Sequence, residues 1–229
     1  ERVPEPELPG GGFAMIRYPE EYKTLMEIFR GIMRSGELSE RVMELTADIL
    51  EWNAAHYTVW VIRRDCLRKL AGERDDTAAK EMWIEERAYA DGVSVQNPKN
   101  YQIWHHRRVI LEQIGTVDAA REELDFYDEM LEADAKNYHV WANRLWVLRT
   151  FGCWERELRY CETLLDDDWW NNSAWNHRHN VVRLYNDGRP EGTPVPDAVA
   201  VREVEYAMAK ASLGYANESP WTYALSFAR

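Results

Sequence analysis

Two stretches place chemistry-bearing residues at matching spacing: Asn97 to Arg108 reads NPKNYQIWHHRR, and Asp134 to Leu145 reads DAKNYHVWANRL. Each opens with an Asn/Asp-type break and a Lys-Asn-Tyr triplet, and each carries a Trp three residues before an Arg. The break supplies capping residues and, in NPKN, a Pro tolerated at a first helical turn, so a helix is expected to begin at each Tyr. Lys99, Lys136 and His139 then stand at helix N-termini. Their free N–H groups favour anions, so these residues can form a local phosphate-binding edge. Tyr101 and Gln102 belong to the same turn.

Those residues need elements to hold them, and the tryptophans reveal the elements. Trp60, Trp104, Trp141, Trp175 and Trp221 are separated by 44, 37, 34 and 46 residues, a period typical of helical-hairpin repeats with insertions in two connections. Arg63, Arg107, Arg144 and Arg178 stand three residues after the first four tryptophans. Leu67, Leu111, Leu148 and Val182 stand seven after, and Leu70, Ile114, Phe151 and Tyr185 ten after. Positions i, i+7 and i+10 share one face of a helix, so the Trp and its apolar partners point inward. A second helix lies upstream, marked by Leu124, Tyr127, Met130 and Leu131 before Trp141 and by Leu158, Cys161, Leu164 and Leu165 before Trp175.

Each unit therefore reads as helix, short turn, helix. The recurring tryptophans are expected to be core, and the arginines to pair with acids or carbonyls of neighbouring helices. Two segments break the pattern. ERAYADGVSVQNPKN, with Gly92 and a β-branched cluster, predicts a longer loop in the second unit, and YNDGRPEGTPVPDA predicts an irregular insertion before the last. The fifth unit keeps Trp221 but has Ala224 in place of the Arg.

Composition sets the outer limits. The chain has 229 residues, 45% hydrophobic and 30% charged, and is read as one elongated globular domain. No apolar run approaches the roughly 20 residues that a membrane span needs. Net charge is −12, which disfavours a long anionic nucleic acid as partner because phosphate contacts need a concentrated basic face. Cys66, Cys153 and Cys161 include no C-x-x-C pair, which suggests a reducing, cytoplasmic setting without structural zinc. The start, ERVPEPELPGGGF, is acidic and rich in Pro and Gly, unlike a signal peptide, and without an initiator Met it reads as trimmed. DDDWWNN, from Asp166, approaches the Asp-Asp-x-x-Asp cluster of an isoprenoid synthase but lacks its last Asp, and reads better as acids at a helix junction.

NAAHYTVWVIRR, NPKNYQIWHHRR, DAKNYHVW, NNSAWNHRH and NESPWTY together resemble, in order, the five repeat signatures of the α-subunit of protein farnesyltransferase and geranylgeranyltransferase type I. The likeness runs from about Tyr18 to Tyr223. It implies an all-α fold, a right-handed α-α superhelix of stacked antiparallel hairpins shaped as a crescent, over residues 18–229 after a Pro/Gly-rich segment at 1–17. It further implies a heterodimer with a β-subunit that bears the catalytic zinc, possible magnesium with the diphosphate, and transfer of farnesyl or geranylgeranyl from its diphosphate to the cysteine of a C-terminal C-a-a-X motif. By the same resemblance Lys99, Tyr101 and His139 are catalytic, Gln102 binds the terminal carboxylate of the protein substrate, and Asn137 and Tyr138 line the adjoining wall. His56 departs from the family's usual Asn, with little functional consequence expected. The family continues with further helices, so a C-terminal truncation at Arg229 is expected. The rival reading is a non-catalytic, peptide-binding repeat scaffold.

Overall fold

A computed structural model of the protein describes residues 1–6, 16–185 and 193–228, and its helices fall into two compact units, Glu1–Gly115 and Thr116–Arg229. The first holds α1 (Glu20–Ser35), α2 (Glu40–Trp52), α3 (Tyr57–Gly72), α4 (Asp76–Gln96) and α5 (Tyr101–Ile114). The second holds α6 (Val117–Ala133), α7 (Tyr138–Phe151), α8 (Glu157–Asp167), α9 (Asn172–Leu184), α10 (Asp197–Ala211) and α11 (Glu218–Phe227). Every described element is helical, in keeping with the all-α class expected. Antiparallel hairpins form from α2 with α3 and α4 with α5 in the first unit, and from α6 with α7, α8 with α9 and α10 with α11 in the second. Among the described residues no helix is long and apolar enough to cross a membrane.

The hairpin turns owe their uniformity to a short hydrogen-bond programme. The turn residues 53–56, 97–100, 134–137 and 168–171 each close with a bond from the last N–H to the first carbonyl, at 3.0 to 3.1 Å. In the last three of these the closing residue is Asn100, Asn137 or Asn171, whose side-chain oxygen then caps the next helix. The indole of the register Trp donates back across the turn: Trp60 to Ala54 O (2.8 Å), Trp104 to Pro98 O (2.9 Å), Trp141 to Ala135 O (3.0 Å) and Trp175 to Trp169 O (3.0 Å). One side chain thus fills the core and also locks the turn before its own helix. Opposite ends are closed by glycine, Gly115 after α5 and Gly152 after α7, both left-handed at φ 67° and 73°.

Two sequence expectations need correction. The predicted loop around Gly92 is helix: α4 runs unbroken for 21 residues, so the long second spacing is extra helix rather than extra loop. A glycine costs a helix only about 1 kcal/mol, and burial of Ala90 and Ser94 against α5 on either side of Gly92 offsets it. Trp221 is the second correction, since it is 37% exposed while the first four register tryptophans are buried. α11 packs chiefly on α10 and α9, and Tyr223 and Phe227 take the buried positions. The first helix, α1, precedes the Trp register altogether and buries Tyr22, Phe29 and Ile32. Of the predicted irregular insertion, residues 186–192 lie outside the described residues and 193–196 are non-helical before α10. Ahead of α1, Val3 is buried and bonds through its N–H to Glu27 O (3.0 Å) and through its carbonyl to Arg30 Nε (2.8 Å).

Candidate functional site

The proposed residues fall in two turns, one in each unit. In the first unit Asn100 caps α5, its side-chain oxygen accepting from Gln102 N at 2.9 Å. The cap fixes the first helical turn, and with it the three neighbours read as functional. Lys99 is exposed, Tyr101 is 66% exposed and Gln102 is half-buried. A cation and a phenol therefore stand in the open beside the amide end of a helix, in a chain of net charge −12.

The second unit builds the same turn differently. Asn137 is buried, and its side-chain oxygen accepts from His139 N (3.0 Å) and Val140 N (3.4 Å), which makes it a structural cap. His139 is also buried, at 4% exposure, its ring 4.0 Å from that of Tyr138, with Asn143 Nδ2 donating to its carbonyl at 2.7 Å. Only Tyr138 (53% exposed) and Lys136 face outward. Sequence reading set His139 at the rim with the lysines. Burial of its ring against the α7 helix start is the difference.

Behind the turns lies a network that holds them. Arg63 forks onto Glu86 (2.6 and 2.8 Å), which also takes His106 Nε2 at 2.7 Å. Arg144 forks onto Glu157 (2.9 and 2.7 Å), which takes His177 Nε2 at 2.8 Å. Arg178 bonds Glu203 at 2.7 Å, which takes the Tyr223 hydroxyl at 2.7 Å. These arginines also lie over Tyr89, Tyr160 and Tyr206 at about 4 Å, each a cation above an aromatic face. The expected pairing of the arginines with acids and carbonyls is thereby met, with Met43 O, Leu124 O and Leu158 O as the carbonyl partners.

The acids themselves were not singled out from sequence, although a signal was there. Glu86, Glu123, Glu157 and Glu203 each stand 18 residues before a register Trp, and Tyr89, Phe126, Tyr160 and Tyr206 stand 15 before. Burial would raise the Glu157 carboxyl, but the Arg144 and His177 contacts outweigh it and hold it down at about 2. The same burial drives His106 and His177 below the ordinary histidine range, so both sit as neutral donors to their glutamates.

Among the described residues no three His, Cys, Asp or Glu side chains gather to hold a metal. All three thiols are buried, and burial pushes Cys161 up to about 12, opposite to what a zinc thiolate requires. Adjacent His105 and His106 point apart, one exposed and one wholly buried.

Repeated hairpins locked by Trp, Asn, Arg and Glu define a helical-repeat protein of the α-hairpin class. The family described as "Protein prenyltransferase alpha subunit repeat" matches residues 83–114, 120–151 and 154–185, which fall on the α4–α5, α6–α7 and α8–α9 hairpins. The chain is 38% identical over 208 residues to the protein farnesyltransferase/geranylgeranyltransferase type-1 subunit alpha of Dictyostelium discoideum, covering 91% of this chain and 62% of that one. It is 40% identical over 211 residues to the same subunit of Pisum sativum, covering 91% and 58%. Against the solved structure of Candida albicans protein geranylgeranyltransferase-I complexed with GGPP, the TM-score is 0.81 at 29% identity, over 99% of this chain and 72% of that one. The three matched hairpins are thus repeats of the protein prenyltransferase α-subunit type. The chain spans about three fifths of the length of the type-1 relatives it matches.

Proposed function

We propose that this chain is the α-subunit of a heterodimeric, cytoplasmic protein prenyltransferase, which joins a farnesyl or geranylgeranyl group to the cysteine of a C-terminal C-a-a-X motif. The observation that carries the reading is the start of α5, where exposed Lys99 and Tyr101 flank a capped helix N-terminus. In the transfer a sulfur–carbon bond forms and the carbon–oxygen bond to diphosphate breaks, so negative charge builds on the leaving oxygens. A preorganised cation stabilises that charge as it develops. Lys99 is the residue for this task, with Tyr101 beside it and His139 set behind Tyr138 in the second turn. Gln102 receives the substrate's terminal carboxylate, and Asn137 and Tyr138 shape the adjoining wall.

Zinc is assigned to the β-subunit, since the described residues of this chain offer it no ligand set, and any magnesium would come with the diphosphate. Identity of 38–40% to type-1 subunits against 28–30% to type-2 subunits supports C-a-a-X proteins as the substrate class. Co-expression with each candidate β-subunit, followed by transfer of labelled isoprenoid to a C-a-a-X peptide, tests the reading. Transfer that needs both chains supports it. Absence of a complex with every β-subunit contradicts it and favours the alternative, a peptide-binding repeat scaffold.

A further inference from the structure

The turn that carries Asn137, Tyr138 and His139 is held by a residue from the next hairpin. Asn171 is 1% exposed and caps α9, its Oδ1 accepting from Ser173 N (3.0 Å) and Ala174 N (3.3 Å). Because those two donors require the oxygen, the amide nitrogen is left to point the other way, where Nδ2 donates to Ala135 O at 3.2 Å. Ala135 O already accepts from Trp141 Nε1 at 3.0 Å, so one carbonyl takes a donor on each lone pair, one from its own hairpin and one from the next.

From this geometry we infer that Asn171 is a positioning residue for the Asn137 to His139 turn, an inference that rests on the function proposed above. Ala135 lies two residues before the cap of α7, inside the four-residue turn, so its two bonds fix where the first turn of α7 starts. Asn217 repeats the device one hairpin further: Oδ1 accepts from Ser219 N (3.0 Å) and Nδ2 donates to Trp169 O (2.8 Å), which also takes Trp175 Nε1 (3.0 Å). Yet the turn that Asn217 holds, 168–171, contains none of the proposed substrate-contacting residues, and it reaches the Asn137 to His139 turn only one step removed, through Asn171. The pair therefore separates positioning from bare structural support.

Serine keeps a capping oxygen but has no amide to reach the neighbouring turn. Asn171→Ser and Asn217→Ser should accordingly lower thermal stability by similar amounts. Hydrogen exchange of the chain alone should quicken about tenfold at residues 135–140 in Asn171→Ser, whereas in Asn217→Ser it should quicken chiefly at residues 169–174 and by much less at 135–140. Paired with the β-subunit, Asn171→Ser should lower kcat/KM for the C-a-a-X peptide about five- to tenfold, the worth of one neutral hydrogen bond spent on alignment, and Asn217→Ser less than twofold. Unchanged exchange at 135–140 in Asn171→Ser would overturn the inference, as would an equal kinetic loss in Asn217→Ser. If the wild-type pair transfers no lipid, the functional reading falls by itself, and the exchange comparison alone decides whether Asn171 holds the turn.

Discussion

The interior of the hairpins and the residue just ahead of each second helix obey opposite rules. Inside, Trp60, Trp104, Trp141 and Trp175 are all buried, and wherever an Arg, a Glu and a polar donor meet within one unit the arrangement repeats almost unchanged. At the residue preceding the cap the sequence varies along the chain, with Lys in only two neighbouring hairpins: Ala55, Lys99, Lys136, Trp170, Ala216. A solenoid needs every hairpin to bury the same face on its neighbour, so its interior tolerates little change. The turns carry no such obligation and are free to differ, which is where recognition can be written.

The comparison breaks most visibly if the interior is cut. Arg144→Ala leaves Glu157 buried with the neutral His177 donor but without its cation, and should cost about 3–5 kcal/mol, read as a lower urea midpoint or loss of the folded chain. Trp175→Ala should cost a similar ~3–5 kcal/mol, whereas Trp221→Ala, at an exposed register position, should cost about 1 kcal/mol or less. Equal losses at the two tryptophans would mean that register and not burial sets the cost.

Acid should act on the interior next. His106 and His177 are held neutral, below the ordinary value of 6.5, while the unfolded chain takes up protons at both as the pH falls through 6.5. Stability is therefore full above about pH 7 and drops below 6.5 by up to ~1.4 kcal/mol per pH unit for each histidine. Glu157, held at about 2 against 4.5, adds a further loss as the pH falls from 4.5 toward 2. Urea midpoints between pH 8 and pH 2 check both windows. Replacement of His177 by Gln should roughly halve the slope of the first, leaving the part due to His106.

The smallest effect sharpens the comparison from the turn side. His56 begins α3 without a side-chain cap bond, where the α5, α7, α9 and α11 starts have Asn. His56→Asn should stabilise by about 0.5–1 kcal/mol, seen as a rise in melting temperature.

Much of this architecture was legible because a Trp at one helical register, followed by Arg and two apolar positions, leaves only a helix with an inward face. The turn lengths followed from the Asn/Asp breaks. What escaped was decided by partners outside the local pattern. Gly92 reads as a breaker, yet the packing of α4 on α5 carries the helix through it. Glu86, Glu157 and Glu203 look like ordinary surface acids until the buried arginines are placed against them. At the candidate site, exposure of Lys99 and Tyr101 followed from their place at the helix start. Burial of His139 did not, because it depends on how the ring folds onto Tyr138.

The central claim is that the hairpin interior builds the subunit while the start of α5 serves the reaction, and Lys99→Ala tests it most directly. An exposed lysine outside the core should change stability by no more than about 0.5 kcal/mol, and the variant should pair with the β-subunit as the wild type does. Its single-turnover transfer rate at saturating isoprenoid diphosphate and C-a-a-X peptide should fall about 10²- to 10³-fold, the usual effect of removing one preorganised contact to a developing anion. A rate equal to that of the wild type in a properly formed complex would contradict the account.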